Sequence, residues 1–303
     1  MNVIEVKNLT KTYKDFKAVD DVSFTVEEGI IFGMLGPNGA GKTTTIECAA
    51  GLKKPDSGQV RILDMDALRV GKKLYDFVGV QLQETSYQDK IKVKELCDFF
   101  ASMYENSSDY EPLLARFNLT AKKNNYMTQL SGGEKQKVAI ILALIANPKV
   151  VFLDELTTGL DPQARREMWA YIKELKAEGR TVFMTTHYME EAEFLCDQIC
   201  LIDVGKIVIT DTVEGVIEHA KLETEVRFKA GKEAADYLRG NLSEVRAVEY
   251  TEGFVKVFSE KEDIITDIIL LLNGKHIAYK QIDIHRPGLE DAFLKLTGKA
   301  WRD

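Results

Sequence analysis

The segment Gly36–Thr44 restricts the possible folds of this chain more strongly than any other part of the sequence. It follows the continuous apolar run Ile30–Leu35, which predicts a strand buried on both faces, and it precedes a helical pattern from Lys42 to about Gly51. The segment fits G-x-x-x-x-G-K-[ST], and its residues are Gly36, Pro37, Asn38, Gly39, Ala40, Gly41, Lys42, Thr43 and Thr44. A glycine-rich turn that only caps a helix is the alternative, but strand, loop and helix in this order favour a phosphate cradle.

The chemistry of such a loop follows from its residue types. Glycines allow successive backbone N–H groups to turn inward around a polyphosphate, and the N-terminus of the following helix adds partial positive charge. Lys42 can reach the β and γ phosphates, and Thr43 can offer its hydroxyl to Mg²⁺. The loop therefore predicts a binding site for a nucleoside triphosphate with magnesium.

A second apolar strand, Val150–Leu153, ends in two adjacent carboxylates, Asp154 and Glu155. In open α/β sheets, ligands bind beyond the carboxyl ends of the strands. Asp154 is therefore a candidate ligand of Mg²⁺, directly or through water, and Glu155 is a candidate general base that polarises an attacking water. Acidic residues often end buried strands, so this pattern alone is weak evidence for a site. In combination with the phosphate loop it becomes strong evidence.

The segment Leu130–Glu134 has the sequence Leu-Ser-Gly-Gly-Glu and precedes an apolar helix. One interpretation is a capping box between Ser131 and Glu134. The same residues also resemble the signature motif of the ATP-binding-cassette ATPases, and both interpretations can hold together. Because a helix N-terminus attracts anions, Ser131, Gly132 and Gly133 are candidate phosphate contacts.

The resemblance to this family covers about residues 1–220 and implies ATP and Mg²⁺ as ligands and hydrolysis of ATP as the activity. In the family, the signature residues close over the γ-phosphate of ATP held by another cassette. Two chains, identical or different, would then pair head to tail. The partner that crosses the membrane would be a separate permease, which places this chain on the cytoplasmic face of the cell membrane.

Further positions match the family in chain order. Tyr13 resembles the aromatic residue that stacks on adenine, although an ordinary strand aromatic is the alternative. Gln83 resembles the glutamine that contacts Mg²⁺ and the attacking water, and Gln81 remains open as the alternative. Asp161, in the segment Thr158–Asp161, resembles the loop that crosses the dimer interface, and His187 resembles the histidine that senses the γ-phosphate.

Some positions depart from the family pattern, and others match a narrower group. Leu156, Glu134 and Lys137 stand where the family usually has Pro, Gln and Arg, which bears on the turnover rate more than on the mechanism. The segments His187–Glu193 and Arg286–Gly298 resemble drug- and antibiotic-export ATPases of the daunorubicin-resistance type.

The expected fold class is α/β, with a phosphate-loop NTPase core of the ATP-binding-cassette kind. The core, residues 1–220, includes an antiparallel β subdomain and a helical subdomain at about 84–147. After a boundary near 213–223, the pattern β-α-β-β-α-β plus a final helix predicts a small ferredoxin-like α+β domain, residues 221–303. That domain could strengthen dimer contacts or regulate turnover.

The length, net charge and apolar runs of the chain limit the kinds of partner that it is expected to have. The chain has 303 residues and a formal net charge of −8, which disfavours nucleic acid as a partner. The N-terminus lacks a secretory pattern, and no apolar run approaches the roughly 18 residues that span a bilayer. Two alternatives to a transporter subunit are a soluble cassette ATPase acting on ribosomes or nucleic acid, and a nucleotide-gated binding module with little catalysis.

Overall fold

A computed structural model describes residues 1–83, 87–88, 90–104, 107–261 and 263–301. These residues divide into two compact units, Met1–Val213 and Glu214–Trp301. The assignment of 1–220 and 221–303 as separate domains stays a prediction, and part of the predicted helical subdomain at 84–147 lies outside the described residues. Within the described ranges, no helix combines the length and apolar character needed to cross a lipid bilayer.

The first unit contains both strands and helices. Its strands are β1 (Asn2–Tyr13), β2 (Phe16–Glu27), β3 (Ile31–Leu35), β4 (Ser57–Ile62), β5 (Met65–Asp66), β6 (Val78–Gln81), β7 (Val150–Asp154), β8 (Thr181–Thr186), β9 (Gln198–Asp203) and β10 (Lys206–Asp211). Its helices are α1 (Lys42–Ala49), α2 (Val93–Ala101), α3 (Glu111–Arg116), α4 (Gly132–Leu144), α5 (Pro162–Ala177) and α6 (Met189–Leu195), and α7 (Val213–His219) lies at the division between the units.

An antiparallel sheet with the strand order β2-β1-β4-β5 forms the N-terminal part of the first unit. In β2, Val22, Phe24 and Val26 are buried, while the residues between them are exposed. This alternation is typical of a sheet with one face on the core and one face in solvent. The predicted strands at Ile4–Leu9 and Ala18–Val26 are confirmed as the inner parts of β1 and β2.

The central sheet has the strand order β10-β9-β3-β8-β7-β6, and all neighbouring pairs except β10 with β9 are parallel. Every residue of β3, β7 and β8 is buried. In β7, Val151 and Leu153 pack into one apolar cluster, and Val150 and Phe152 pack into a second cluster. Both faces of the sheet are therefore covered, which explains the continuous apolar runs in the sequence.

Helices α2, α3 and α4 begin and end close to the predicted positions. The pattern at Val93–Tyr104 predicts a helix that in the structure ends at Ala101, and the helix predicted at Gly132–Ala146 ends at Leu144. Every residue of α4 from Val138 onward is buried, as an apolar surface on all sides requires.

The second unit contains β11 (Thr224–Lys229), α8 (Lys232–Asn241), β12 (Val245–Thr251), β13 (Phe254–Ser259), α9 (Ile264–Gly274), β14 (Lys280–His285) and α10 (Leu289–Thr297). Its sheet has the order β12-β13-β11-β14, with antiparallel neighbours. Val226, Phe228, Val255 and Val257 are buried in one cluster with residues of α8 and α9. The predicted succession of elements is therefore present, while the ferredoxin-like assignment stays a prediction.

Gly79 in β6 allows the close approach of α4 to the central sheet. A Cβ atom there would lie 2.1 Å from the carbonyl oxygen of Ala143 and 3.0 Å from Cγ of Pro148. We expect Gly79→Ala to lower the free energy of unfolding by about 1–3 kcal/mol, because backbone atoms must move apart. Chemical denaturation measures this loss. Gly240→Ala in α8 is the control, since no heavy atom lies within 4 Å of its added Cβ. Equal stability of the two variants would contradict the packing argument.

Glu191 on α6 is a buried carboxyl group. Thr157 Oγ1 and Trp169 Nε1 each donate a hydrogen bond of 2.8 Å to its Oε1. Burial raises its pKa from the ordinary value of 4.5, and hydrogen bonds from Thr186, Thr157 and Trp169 oppose this rise. The folded chain therefore favours the neutral form of this carboxyl group over the ionised form, compared with the unfolded chain.

This raised pKa has a consequence for stability. The contribution of the protonated Glu191 is present below the unfolded-state pKa and is lost as the pH rises through the raised folded-state pKa. Glu191→Gln keeps an acceptor for both donors and cannot ionise. We expect its stability relative to the unsubstituted protein to improve above pH 4.5, by at most about 1.4 kcal/mol per pH unit. Denaturation curves across the pH range check this, and a pH-independent difference would contradict it.

Candidate active site

The phosphate loop connects β3 to α1, and its glycines are required by positive φ angles or by close backbone contacts. Gly39 and Gly41 have φ values of +79° and +105°, in the region that favours glycine. A Cβ at Gly41 would lie 2.2 Å from the carbonyl oxygen of Ala18, and one at Gly36 would lie 2.4 Å from that of Ile202. The first N–H groups of α1 lack partners within the helix. The loop is therefore built to surround an anion.

Lys42 is buried at the start of α1. Its Nζ donates hydrogen bonds to the carbonyl oxygens of Gly36, at 2.8 Å, and Pro37, at 3.2 Å. It also forms an ion pair with Glu155 Oε1 at 3.1 Å. The lysine predicted to reach the phosphates and the carboxylate predicted as the general base are thus adjacent.

Asp154 ends β7 and faces the phosphate loop. Thr43 Oγ1 lies within hydrogen-bond distance of Asp154 Oδ1, at 3.4 Å. The second oxygen, Oδ2, is buried and has no hydrogen-bond partner. Burial raises the pKa of this carboxyl group, and the hydroxyls of Thr185 and Thr43 oppose the rise.

These oxygens fit the chemistry of Mg²⁺. The ion prefers oxygen ligands and usually binds through one or two carboxylates together with substrate phosphates. The described residues contain no cluster of three or more His, Cys, Asp or Glu side chains arranged for a metal. A site that Asp154 and Thr43 share with a nucleotide does not need such a cluster.

Glu155 lies at the centre of the candidate site. Its backbone has a φ of +45°. Gln83 Nε2 donates a hydrogen bond of 3.0 Å to Glu155 Oε2, and His187 Nδ1 lies 3.3 Å from the same oxygen. The structure therefore brings Lys42, Gln83 and His187 together around one carboxylate.

The end of β6 bears on the choice between the two glutamines. The sequence predicts a strand at Phe77–Val80, whereas β6 extends to Gln81. Gln81 is buried, and its amide donates to the adjacent carbonyl of Leu82 at 2.7 Å. Gln83 follows the strand and contacts Glu155, so geometry favours Gln83 as the site glutamine.

A cavity of about 280 Å³ extends from this cluster to the turn between β1 and β2. It is lined by Tyr13, Phe16 and Ala18 together with the phosphate loop, Gln83 and Glu155. Tyr13 is 41% exposed and can offer its ring to a base. Phe16, 54% exposed, is an additional aromatic residue that the sequence analysis missed. Its signal in the sequence was a second aromatic residue three positions after Tyr13.

The predicted signature residues lie at a different cavity. Ser131 caps α4 by accepting a hydrogen bond from the Glu134 N–H, and Glu134 Oε2 accepts one from the Ser131 N–H, so the capping box is present. Asp161 caps α5 by accepting from the N–H groups of Gln163 and Ala164. A cavity of about 340 Å³ is lined by both segments and shares no lining residue with the first; its lining includes Ser131, Gly132, Gly133, Gly159, Leu160 and Asp161.

Comparisons with known proteins identify related sequences along the whole chain. Residues 19–158 match the family model described as ABC transporter. The Nod factor export ATP-binding protein I of Burkholderia lata is 36% identical over 99% of this chain and 98% of its own length. The linearmycin resistance ATP-binding protein LnrL of Bacillus subtilis is 31% identical over 99% of this chain and 100% of its own length.

Solved structures of ATP-binding cassettes have a fold similar to that of this chain. An ATP-binding subunit of an ABC transporter is 27% identical, with a TM-score of 0.66 over 72% of this chain and 92% of that one. A dimeric ATP-binding cassette in a post-hydrolysis state, bound to ADP and Pi, is also 27% identical, with a TM-score of 0.63 over 69% of this chain and 98% of that one. The predicted α/β phosphate-loop fold is confirmed, and the chain belongs to the ABC transporter family of ATP-binding, ATP-hydrolysing proteins.

Proposed function

We propose that this chain is the ATP-hydrolysing subunit of an exporter whose membrane-spanning permease is a separate polypeptide. The cluster of Lys42, Gln83 and His187 around Glu155 carries the proposal for hydrolysis. The likeness to proteins named for Nod factor export and linearmycin resistance supports export, because it covers 99% of this chain. The narrower resemblance to drug- and antibiotic-export ATPases agrees with these names.

Each residue of the candidate site has its own role in the hydrolysis of ATP. Lys42 and the N–H groups of the phosphate loop neutralise and orient the β and γ phosphates. Thr43, Asp154 and Gln83 hold Mg²⁺, which neutralises phosphate charge when it is bound with the nucleotide. Glu155 accepts the proton of the attacking water. His187, next to the same carboxylate, orients Glu155 and senses the γ-phosphate.

The adenine ring binds beside the aromatic residues that line the cavity. Tyr13 stacks on the base, and the exposed ring of Phe16 adds apolar surface beside it. The distance between the base and the phosphates is then bridged by the ribose along the cavity. This arrangement assigns one nucleotide to one phosphate loop.

Two such chains, identical or different, would pair head to tail. Ser131, Gly132 and Gly133 offer a second set of donors for phosphate, and they lie at a cavity separate from the phosphate loop. Pairing would bring the signature residues of one chain to the nucleotide of the other, with Asp161 near the interface. Binding of ATP would then close the pair, and hydrolysis would release it.

The helical subdomain is the proposed contact with the permease, on the cytoplasmic face of the cell membrane. Phe99 on α2 and Met103, just beyond its end, are 57% and 53% exposed. Exposed apolar side chains four positions apart at the end of a helix suit a surface that contacts a protein partner. A cassette ATPase acting on ribosomes or nucleic acid is disfavoured by the net charge of −8 and by the export-related relatives.

Substitution of Glu155 tests the catalytic assignment. We expect Glu155→Gln to lower ATP turnover by about 100-fold to 10,000-fold, because an amide cannot accept the proton from water. ATP-bound pairs should accumulate, as light scattering during gel filtration would measure. Glu190→Gln, at an exposed position on α6, is the matched control and should retain turnover. Undiminished turnover in the Glu155 variant would remove this residue from its role.

Substitution at the exposed apolar surface tests the assignment of the permease contact. We expect a variant with Phe99→Asp and Met103→Asp to lose its integral membrane partner, because two charges would be buried at the contact. Mass spectrometry of protein isolated from detergent-solubilised membranes would identify that partner. Phe194→Asp, at another exposed aromatic on α6, is the control. Equal recovery of the partner by all variants would place the contact elsewhere.

A further inference from the structure

Thr185 is the penultimate residue of β8, and it is the direct neighbour of Asp154 in the parallel pairing of β7 with β8. Its side chain is fully buried. The Thr185 hydroxyl donates a hydrogen bond to Asp154 Oδ1 and accepts one of 3.1 Å from the backbone N–H of Glu155. A hydroxyl has one proton and two lone pairs, so both bonds can form at once.

The hydrogen bond from Thr185 to Asp154 determines which oxygen of the Asp154 carboxylate is available to a cation. Oδ1 lies within hydrogen-bond distance of the hydroxyls of Thr185 and Thr43, while Oδ2 has no protein partner. A carboxylate oxygen that is buried and unsatisfied is costly unless a ligand completes it. The Thr185 hydroxyl therefore holds the carboxylate in the orientation in which Oδ2 can bind a cation.

The hydrogen bond between Thr185 and Glu155 is made by the backbone N–H of Glu155. With a φ of +45°, Glu155 has a left-handed conformation that residues other than glycine seldom adopt. Its N–H points to both oxygens of Thr185, the carbonyl at 3.2 Å and the hydroxyl at 3.1 Å. These contacts stabilise the turn that directs the Glu155 side chain toward Lys42 and Gln83.

We propose that Thr185 is a positioning residue for ATP hydrolysis: its hydroxyl orients Asp154 for Mg²⁺ and holds the backbone of Glu155 in the turn that aims the general base. This inference rests on the proposed roles of Asp154 and Glu155. Thr185 itself touches neither nucleotide nor metal in this assignment, and it acts through the two carboxylates.

The test removes only the hydroxyl. In Thr185→Val the β-branched shape is kept, and we expect kcat to fall by about 10-fold to 100-fold, as the loss of one or two buried hydrogen bonds predicts. The Mg²⁺ concentration for half-maximal activity should rise by about 10-fold for the same reason. Binding of ATP in excess EDTA should not change, because the phosphate loop is intact. Thr185→Ser should recover most of the activity and the original Mg²⁺ requirement.

Thr181→Val is the matched control at the other end of β8. Thr181 is equally buried, and its hydroxyl accepts a hydrogen bond of 2.9 Å from the Gly29 N–H. Four residues of strand place it about 13 Å from Thr185, so we expect a loss of thermal stability with unchanged kcat and Mg²⁺ requirement. If Thr185→Val unfolds at the assay temperature, Thr185→Ala is measured in the same assays.

Three results would overturn the proposal. These are an unchanged Mg²⁺ requirement and kcat in the folded Thr185→Val or Thr185→Ala protein, a serine variant as impaired as the valine variant, or an equal loss of kcat in Thr181→Val. Failure of the underlying functional proposal looks different. In that case the unsubstituted protein would show no Mg²⁺-dependent hydrolysis, or Glu155→Gln would not slow it.

Discussion

The parallel pairing of β3, β8 and β7 is the constraint on which the candidate site depends. Leu35 pairs with Thr186, and Asp154 pairs with Thr185, so the three strands end at the same edge of the sheet. The phosphate loop follows β3 in the chain, Glu155 follows β7, and His187 follows β8. Because apolar layers cover both faces of these parallel strands, the strands are held side by side, and groups distant in sequence meet around one carboxylate.

Much of this arrangement could be predicted because its signals are local. A strand covered on both faces reads as a continuous apolar run, which located β3 and β7. The phosphate loop has fixed spacing because its glycines meet real steric limits, such as the 2.2 Å approach of a Cβ at Gly41 to the Ala18 carbonyl. Once these elements are placed, the rule that ligands bind at the carboxyl ends of strands brings Asp154 and Glu155 to the loop.

The remaining features depend on contacts that no pattern along the chain records. Gln81 and Gln83 are two residues apart, which is the repeat of a strand, so periodicity does not distinguish them. The end of β6 and the contact of Gln83 with Glu155 favour Gln83. Thr185 is one of three threonines in β8, and all three are buried. Only the pairing of β8 with β7 selects the one that bonds to Asp154. Phe16 was missed because it precedes the alternating run that begins at Ala18, and its place beside Tyr13 depends on the pairing of β1 with β2.

The separation of the two cavities gives the proposed pairing of chains a physical basis. Within one chain, the donors at Ser131–Gly133 and those at Lys42 line two cavities that have no residue in common. Each chain carries a net charge of −8, and two identical copies therefore repel at long range. Screening confines this repulsion to about 8 Å at physiological salt. In the proposed pairing, association would therefore depend on short-range contacts, which phosphates with donors on both sides would supply.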